Sequence, residues 1–483
     1  MEVSNSYAML GKAFYEVINP IPVREPKMFL WNSALAKKLE LLDFSEHSEI
    51  LPQIFSGNDL LPGSRPIATA YAGHQFGHFV PQLGDGRAHL IGETVDSAGK
   101  LMDIQLKGSG PTSFSRGGDG RCSLGPAIRE FIMSEALHAL GVPTTRCLAV
   151  VTTGEDVIRD VALPGAIVTR VASSHLRVGT FEYFATRGDK ASLSLLTDYA
   201  IQRHYPELQN KVGNKYVLFL EKVIEQQINL VVSWMRIGFV HGVMNTDNTA
   251  ISGETIDFGP CAMMGVYDPD TVFSSIDHHG RYSFGNQSYI AQWNMARLAE
   301  CLLPLIDIDG AAAIDLIEPL ILKFPERFNI AYMEMMGLKL GLFNFNSEDE
   351  VLVTLLVDLL KKKKMDYTIF FYNLTASLTS NSFESSLRSE LGEWYDLWSN
   401  RIKIQNHTQE EIFDLMTKNN PVVIPRNHHV ESIIQDCLTT RTVTTANEFL
   451  NVLRSPYQTI HQTEKYQDPG QSIDKDYQTF CGT

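Results

Sequence analysis

The stretch HGVMNTDNTAISGETIDFG, residues 241–259, sets Asp247 beside Asn248 and brings Asp257-Phe258-Gly259 shortly after them. Two carboxylates and a carboxamide are hard oxygen donors. Mg2+ takes one or two protein ligands of this kind and completes its shell with phosphate and water oxygens. A further carboxylate beside such a site can accept the proton of an attacking hydroxyl. The chemistry implied is transfer of part of a nucleotide to an acceptor, which needs positioning and charge neutralisation more than covalent catalysis.

Protein kinases use an Asp, an Asn and a D-F-G Asp to orient an acceptor and hold magnesium. Their Asn follows the catalytic Asp by several residues, whereas here it is adjacent. The parts are therefore kinase-like and the spacing is not.

Other elements must position these groups. Residues 101–107, LMDIQLK, alternate Met102, Ile104 and Leu106 with Asp103, Gln105 and Lys107, which predicts a half-buried strand ending at Lys107. The loop GSGPTSFSRGGDGR follows. Pro126 suits the first turn of a helix, Ile128, Phe131, Ile132, Ala136 and Leu140 keep its spacing, and Gly141 and Pro143 stop it. The helix carries Glu130 and Glu135, and either can pair with Lys107. Glu135 falls on the apolar stripe, where an unpaired carboxylate is costly, yet periodicity does not choose between them. In QLGDGRAHLIGE, Gly84-x-Gly86 reads as a glycine hairpin over phosphates or as a simple β-turn. Arg87 directly after it can fork onto phosphate oxygens. Arg170 and Arg177 add two cations, whose convergence their spacing does not establish.

Some features carry less. His74 and His78 lack the glutamate that a metalloprotease motif requires after the first histidine, and read as packed in a turn. Trp293, Met295, Leu298, Ala299 and Leu302 read as the core stripe of a helix, and His278-His279 as locally hydrogen-bonded. Further helices are expected over 218–237, 288–305 and 350–363. Lys361–Lys364 ends the last of these, where cations offset the helix dipole.

The 483 residues, 44% apolar and 20% charged, can bury a large core. A formal net charge of −15 argues against a nucleic-acid partner. Six cysteines without a C-x-x-C argue against zinc clusters and a disulfide scaffold and suit a reducing cytoplasm. The start, MEVSNSYAMLGKAFYE, lacks signal-peptide and transit-peptide character. The apolar window INLVVSWMRIGFVHGV is short and carries Arg236, so no membrane span is expected.

The blocks YAGHQFGHFVPQLGDGRAHLIGE, DIQLKGSGPTSFSRGGDGRCSLGPAIREFIMSEAL, VTRVASSHLRVGTFEYFA, HGVMNTDNTAISGETIDFGP and DHHGRYSFGNQ resemble the signature blocks of the selenoprotein O family. The ending QTFCGT is similar to the family terminus, where members carry selenocysteine or cysteine. The resemblance implies an α+β, protein-kinase-like two-lobed fold with N- and C-terminal extensions. It divides the chain into an N-lobe with extension at 1–172, a mostly helical C-lobe at 173–420 and a C-terminal extension at 421–483. It implies ATP bound in a flipped orientation and AMP transferred, with release of pyrophosphate, to Ser, Thr or Tyr hydroxyls of protein substrates. Mg2+ is the implied metal, with Mn2+ as the alternative, and a monomer is expected.

Carried over by motif, the resemblance makes Asp247 the catalytic base and Asn248 and Asp257 the metal ligands. Gly84, Gly86, Arg87, Lys107, Asp119, Gly120, Arg170, Arg177 and Asp257 would contact the nucleotide, and Glu130 would pair with Lys107. An ordinary kinase and an inactive nucleotide-binding scaffold are the competing readings. The Asp-Asn adjacency and the extra arginines count against the first, and the intact Lys107, Asp247, Asn248 and Asp257 against the second. The chain departs from the family at Val272-Phe273-Ser274-Ser275-Ile276-Asp277, which lacks an expected cysteine near 273. Cys481 is expected to be redox-responsive, with Cys261 as the partner to test, in a polar tail that lies on the surface or hangs free from about 464.

Overall fold

The computed structural model describes residues 3–41, 49–470 and 477–479. An eight-stranded antiparallel sheet occupies the part up to Ala172. Seven strands follow the order Tyr15–Val17, Ile67–Thr69, Ala88–Val95, Leu101–Lys107, Ala162–Ala172, Arg146–Ile158 and Lys27–Trp31. The short Cys122–Ser123 strand pairs with Ala162–Ala172 off this path.

The strand expected over 101–107 is present at those bounds, but it is not half-buried. Residues from Met102 to Lys107 are all buried, because the strand runs through the middle of the sheet and both faces are covered. Met102, Ile104 and Leu106 enter apolar clusters. The opposite face stays polar because each group has a buried partner. Asp103 accepts from His175 N at 3.0 Å and Arg203 Nη2 at 2.6 Å, and Gln105 Nε2 reaches Asp85 at 3.4 Å. Lys107 meets Glu130.

The helix Leu124–Ala139 packs against the Arg146–Ile158 and Ala162–Ala172 strands, with Ile128, Phe131, Ile132 and Ala136 buried. From Val178 onward the chain is mostly helical. In the helix Lys215–Ile237 the Asn214 carboxamide oxygen accepts from Tyr216 N and Val217 N, and Gly238 at φ +78° ends it. The helices Gln287–Ile306 and Glu350–Lys363 fall where periodicity places them. Two short paired strands, Phe239–Val240 and Ala262–Met263, bracket the segment that carries Asp247 and Asp257 and fix both its ends.

A further expectation fails. Met295, Leu298, Ala299 and Leu302 are core, but Trp293 is only half-buried. The Arg281 and Arg297 guanidinium carbons both lie over its ring, each 4.8 Å from the ring centre. The described part of the tail lies mostly at the surface, as expected, but is docked there. Thr463–Gln467 is helical with Tyr466 only 2% exposed. Thr479 N donates to Phe273 O at 2.8 Å and its hydroxyl to Pro260 O at 2.7 Å. Polar residues stay docked there because buried carbonyls accept from them. Cys261 is fully buried, and Cys481 lies outside the described residues. Among the described residues no helix is long and apolar enough to cross a membrane.

Candidate active site

A cleft of about 850 Å³ opens between the glycine-rich loops, the sheet and the 241–259 segment. Gly84, Gly86, Arg87, Lys107, Asp119, Gly120, Glu130, Arg170, Arg177, Asp247, Asn248 and Asp257 all line it. The structure thus gathers every described site residue expected from the sequence; Cys481 lies outside the described residues.

The deep end is a charge cluster. Lys107 Nζ donates to Glu130 Oε2 at 2.6 Å and lies 3.8 Å from Asp257 Oδ1. Arg170 bridges the same two carboxylates, reaching Asp257 Oδ1 at 2.5 Å. Arg177 Nη1 donates to Asp257 Oδ2 at 3.1 Å and to the Asp247 carbonyl at 2.8 Å. The convergence that spacing left open comes from strand pairing, since Arg170 stands opposite Gln105, two residues before Lys107. Arg177 precedes the helix Val178–Ala185 and stacks on Tyr71, 4.5 Å from the ring centre. Glu130, and not Glu135, is the partner of Lys107. Glu135 is occupied by Arg146 through two bonds, at 2.5 and 2.6 Å, which accounts for a carboxylate on an apolar stripe.

Burial alone would raise the Glu130 carboxyl, but the charges of Arg170 and Lys107 outweigh it and hold it at about 2. Burial acts likewise on Asp257, and Arg170, Arg177 and Lys107 hold it well below the usual carboxylate range. Asp257 adopts φ +64°, a left-handed conformation that costs a non-glycine residue about 1–2 kcal/mol. Such strain persists where surrounding contacts impose it, and three cations grip this side chain.

Asp247 sits beside the cluster. Gln75 Nε2 donates to its Oδ2 at 3.0 Å, and its buried Oδ1 has no hydrogen-bond partner among the described residues. Burial pushes its carboxyl up to about 6. The paired strands Gly73–Gln75 and His78–Val80 press on it, and a Cβ at Gly73 would sit 2.6 Å from Oδ1. His74 does not simply fill a turn. Its backbone N donates to Thr246 Oγ1 at 2.6 Å and its Nδ1 meets Glu182 Oε1 at 2.5 Å. Thr246 Oγ1 in turn donates to Glu182 Oε2 at 2.5 Å. His74, Gln75 and Glu182 therefore seat the Asp247 loop, and sequence reasoning missed that role. The one local signal was a polar His-Gln step directly after Gly73.

The glycine turn is set by Asp85, also missed, whose Oδ2 accepts from Thr69 N at 3.1 Å and Thr69 Oγ1 at 2.6 Å. Gly84 has φ +72°, and a side chain there would collide with Phe114. These glycines let the 82–87 turn and the 108–121 loop fold onto each other. Asp119 stands on the latter loop and pairs with Arg159 at 2.7 Å.

Asn248 Nδ2 donates to Val243 O at 3.0 Å, and its carboxamide oxygen accepts no hydrogen bond among the described residues. That oxygen and the Asp257 carboxylate are hard donors on residues that line the same cleft. Among the described residues no three His, Cys, Asp or Glu converge into a complete metal cage. The site therefore fits a cation that draws the rest of its shell from phosphate and water, as Mg2+ does, and does not fit a zinc cage.

The model of a family described as protein adenylyltransferase SelO matches residues 1–454. A protein nucleotidyltransferase YdiU of Teredinibacter turnerae is 54% identical over 485 residues, covering 100% of both chains. Similar proteins of the same name from Pseudoalteromonas translucida and Anoxybacillus flavithermus are each 50% identical. They cover 100% and 99% of this chain and 100% and 98% of their own. A match of this extent, over a chain whose motif residues meet in one cleft, shows that the protein belongs to the protein adenylyltransferase SelO family.

Proposed function

We propose that the protein transfers AMP from ATP to Ser, Thr or Tyr hydroxyls of other proteins and releases pyrophosphate. The observation that carries this reading is the convergence of Lys107, Arg170 and Arg177 on Asp257, directly beside Asp247. Three cations at the deep end favour the two terminal phosphates there, which leaves the α-phosphate nearest the base. A kinase would need the terminal phosphate at that point.

In this reading Asp247 accepts the proton of the acceptor hydroxyl as its oxygen bonds to the α-phosphorus and the bond to pyrophosphate breaks. Gln75 holds the other carboxylate oxygen in place. Lys107, Arg170 and Arg177 offset the charge that develops on the leaving group, and as fixed groups they need no rearrangement to do so. Gly84, Gly86, Arg87, Asp119 and Gly120 form the wall over the nucleotide. Asn248 and Asp257 would hold Mg2+, or Mn2+ in its place, whose charge stabilises the phosphate oxygens when bound.

The Lys107–Glu130 pair, strand to helix, supports a protein-kinase-like two-lobed reading of the fold, with lobes at 1–172 and 173–420 and an extension at 421–483. Incubation with ATP labelled at either the α- or the γ-phosphate tests the function. Label is expected on acceptor protein from the α position alone. Label from γ would make the protein an ordinary kinase, and label from neither an inactive scaffold.

A further inference from the structure

We infer that the acceptor protein is selected by an acidic side chain close to its target hydroxyl, bound by Arg281, Trp293 and Arg297 beside the 73–80 hairpin that adjoins the cleft. This inference rests on the transferase reading and names the substrate class of that site.

Arg281 has no carboxylate within ion-pair distance among the described residues, although the chain carries a net charge of −15. The only ion pair of Arg297 among them is with exposed Glu300, at 2.7 Å. Among the described residues the buried Nε atoms of both arginines have no hydrogen-bond partner, and both guanidinium carbons lie 4.8 Å from the centre of the Trp293 ring. A stacked guanidinium has already lost much of its side-chain freedom and takes a carboxylate at lower entropic cost. The carboxylate nearest in sequence, Asp277, is engaged by the backbone N of Arg281 at 2.9 Å and of Tyr282 at 2.7 Å. Exposed His278 and His279, expected to bond locally, share this loop. The patch is therefore cationic, and among the described residues the Arg281 guanidinium meets no carboxylate.

Its place ties it to the chemistry. A Cβ on Gly77 would lie 3.5 Å from Arg281 Cζ, and Gln75, two residues earlier, holds Asp247. Tyr282 donates to Asn245 Oδ1 at 2.6 Å, two residues before Asp247. Ile276, 56% exposed on the same loop, lines the cleft. An acceptor segment lying across the Phe76-Gly77 turn would thus bring to Arg281 a side chain close in sequence to the hydroxyl at Asp247.

The test uses peptides with one central Ser, Thr or Tyr, flanked at each of the three positions on either side by Asp, Ala or Lys, and ATP labelled at the α-phosphate. The full-length enzyme should label Asp-flanked peptides with kcat/KM about tenfold above Ala-flanked ones, mainly through KM. Arg281→Ala should remove that preference, Arg281→Lys restore part of it, and Arg281→Glu turn it toward Lys-flanked peptides. ATP affinity, measured by calorimetry, should stay at the wild-type value in all three and show that they are folded. Equal labelling of all flanks by the wild type, or an acidic preference that survives Arg281→Glu, overturns the inference while leaving the transferase intact. Failure to label any peptide or protein from the α position would instead remove the transferase reading, and this inference with it.

Discussion

Replacing Asp247 by Asn should make the protein more stable while removing its activity. Asn keeps nearly the same shape, and its carboxamide oxygen can still accept from Gln75. What it removes is a buried ionised carboxylate. Burial takes that carboxyl from an ordinary 3.8 to about 6, a displacement that costs the ionised folded state about 3 kcal/mol. The sign follows from proton binding. The folded chain holds this proton more tightly than the unfolded one, so wild-type stability falls as pH rises from about 4 to 6. The variant lacks that loss. The gap between them should be about 3 kcal/mol at pH 7.5 and about half of that at pH 5. For a chain of this size, unfolding as one unit, it corresponds to a rise in Tm of about 3 °C. Calorimetry in chelator and without nucleotide reads it. A gap that does not change with pH, or a variant less stable at pH 7.5, would refute the reasoning and mean that the carboxylate is compensated in a way its orphaned Oδ1 does not suggest.

Asp257→Ala should abolish transfer and the metal-dependent part of ATP binding, since Asn248 alone is too poor a ligand set; titration of ATP with and without Mg2+ checks both. Arg177→Ala should weaken ATP and ADP more than AMP, and equal losses for the three nucleotides would place that guanidinium away from the terminal phosphates. Glu130→Ala and Glu135→Ala should separate function from stability. The first frees Lys107 and Arg170 from their shared anchor and should cost mainly activity. The second strands buried Arg146 and should cost about 3–5 kcal/mol of stability by denaturant titration.

What the sequence made legible was local. The 101–107 strand and the Glu130 helix stand where periodicity places them, and the Asp247, Asn248 and Asp257 set was picked out by motif spacing and lines one cleft. Convergence was not legible. Arg170 joins Lys107 through antiparallel register, and Glu182 reaches His74 across 108 positions. Periodicity gives the face of a helix but not what covers it, which is why Trp293 read as core. The polar face of the 101–107 strand read as solvated for the same reason, although Arg203 and Glu130 arrive there from distant segments.

The seating of Asp247 also controls when in the life of the chain it can act. His74 and Thr246, which fix the loop, stand 172 positions apart. Gln75 holds Asp247 from the same hairpin, and the Asp247 loop passes close behind Gly179, where a Cβ would lie 3.3 Å from Asp247 Cα. Three remote stretches must therefore dock before Asp247, the proposed base, is positioned. Under the proposed transfer, a nascent or partly unfolded copy would hold no acceptor hydroxyl against a positioned carboxylate, and the modification of other proteins would be restricted to copies that have finished folding.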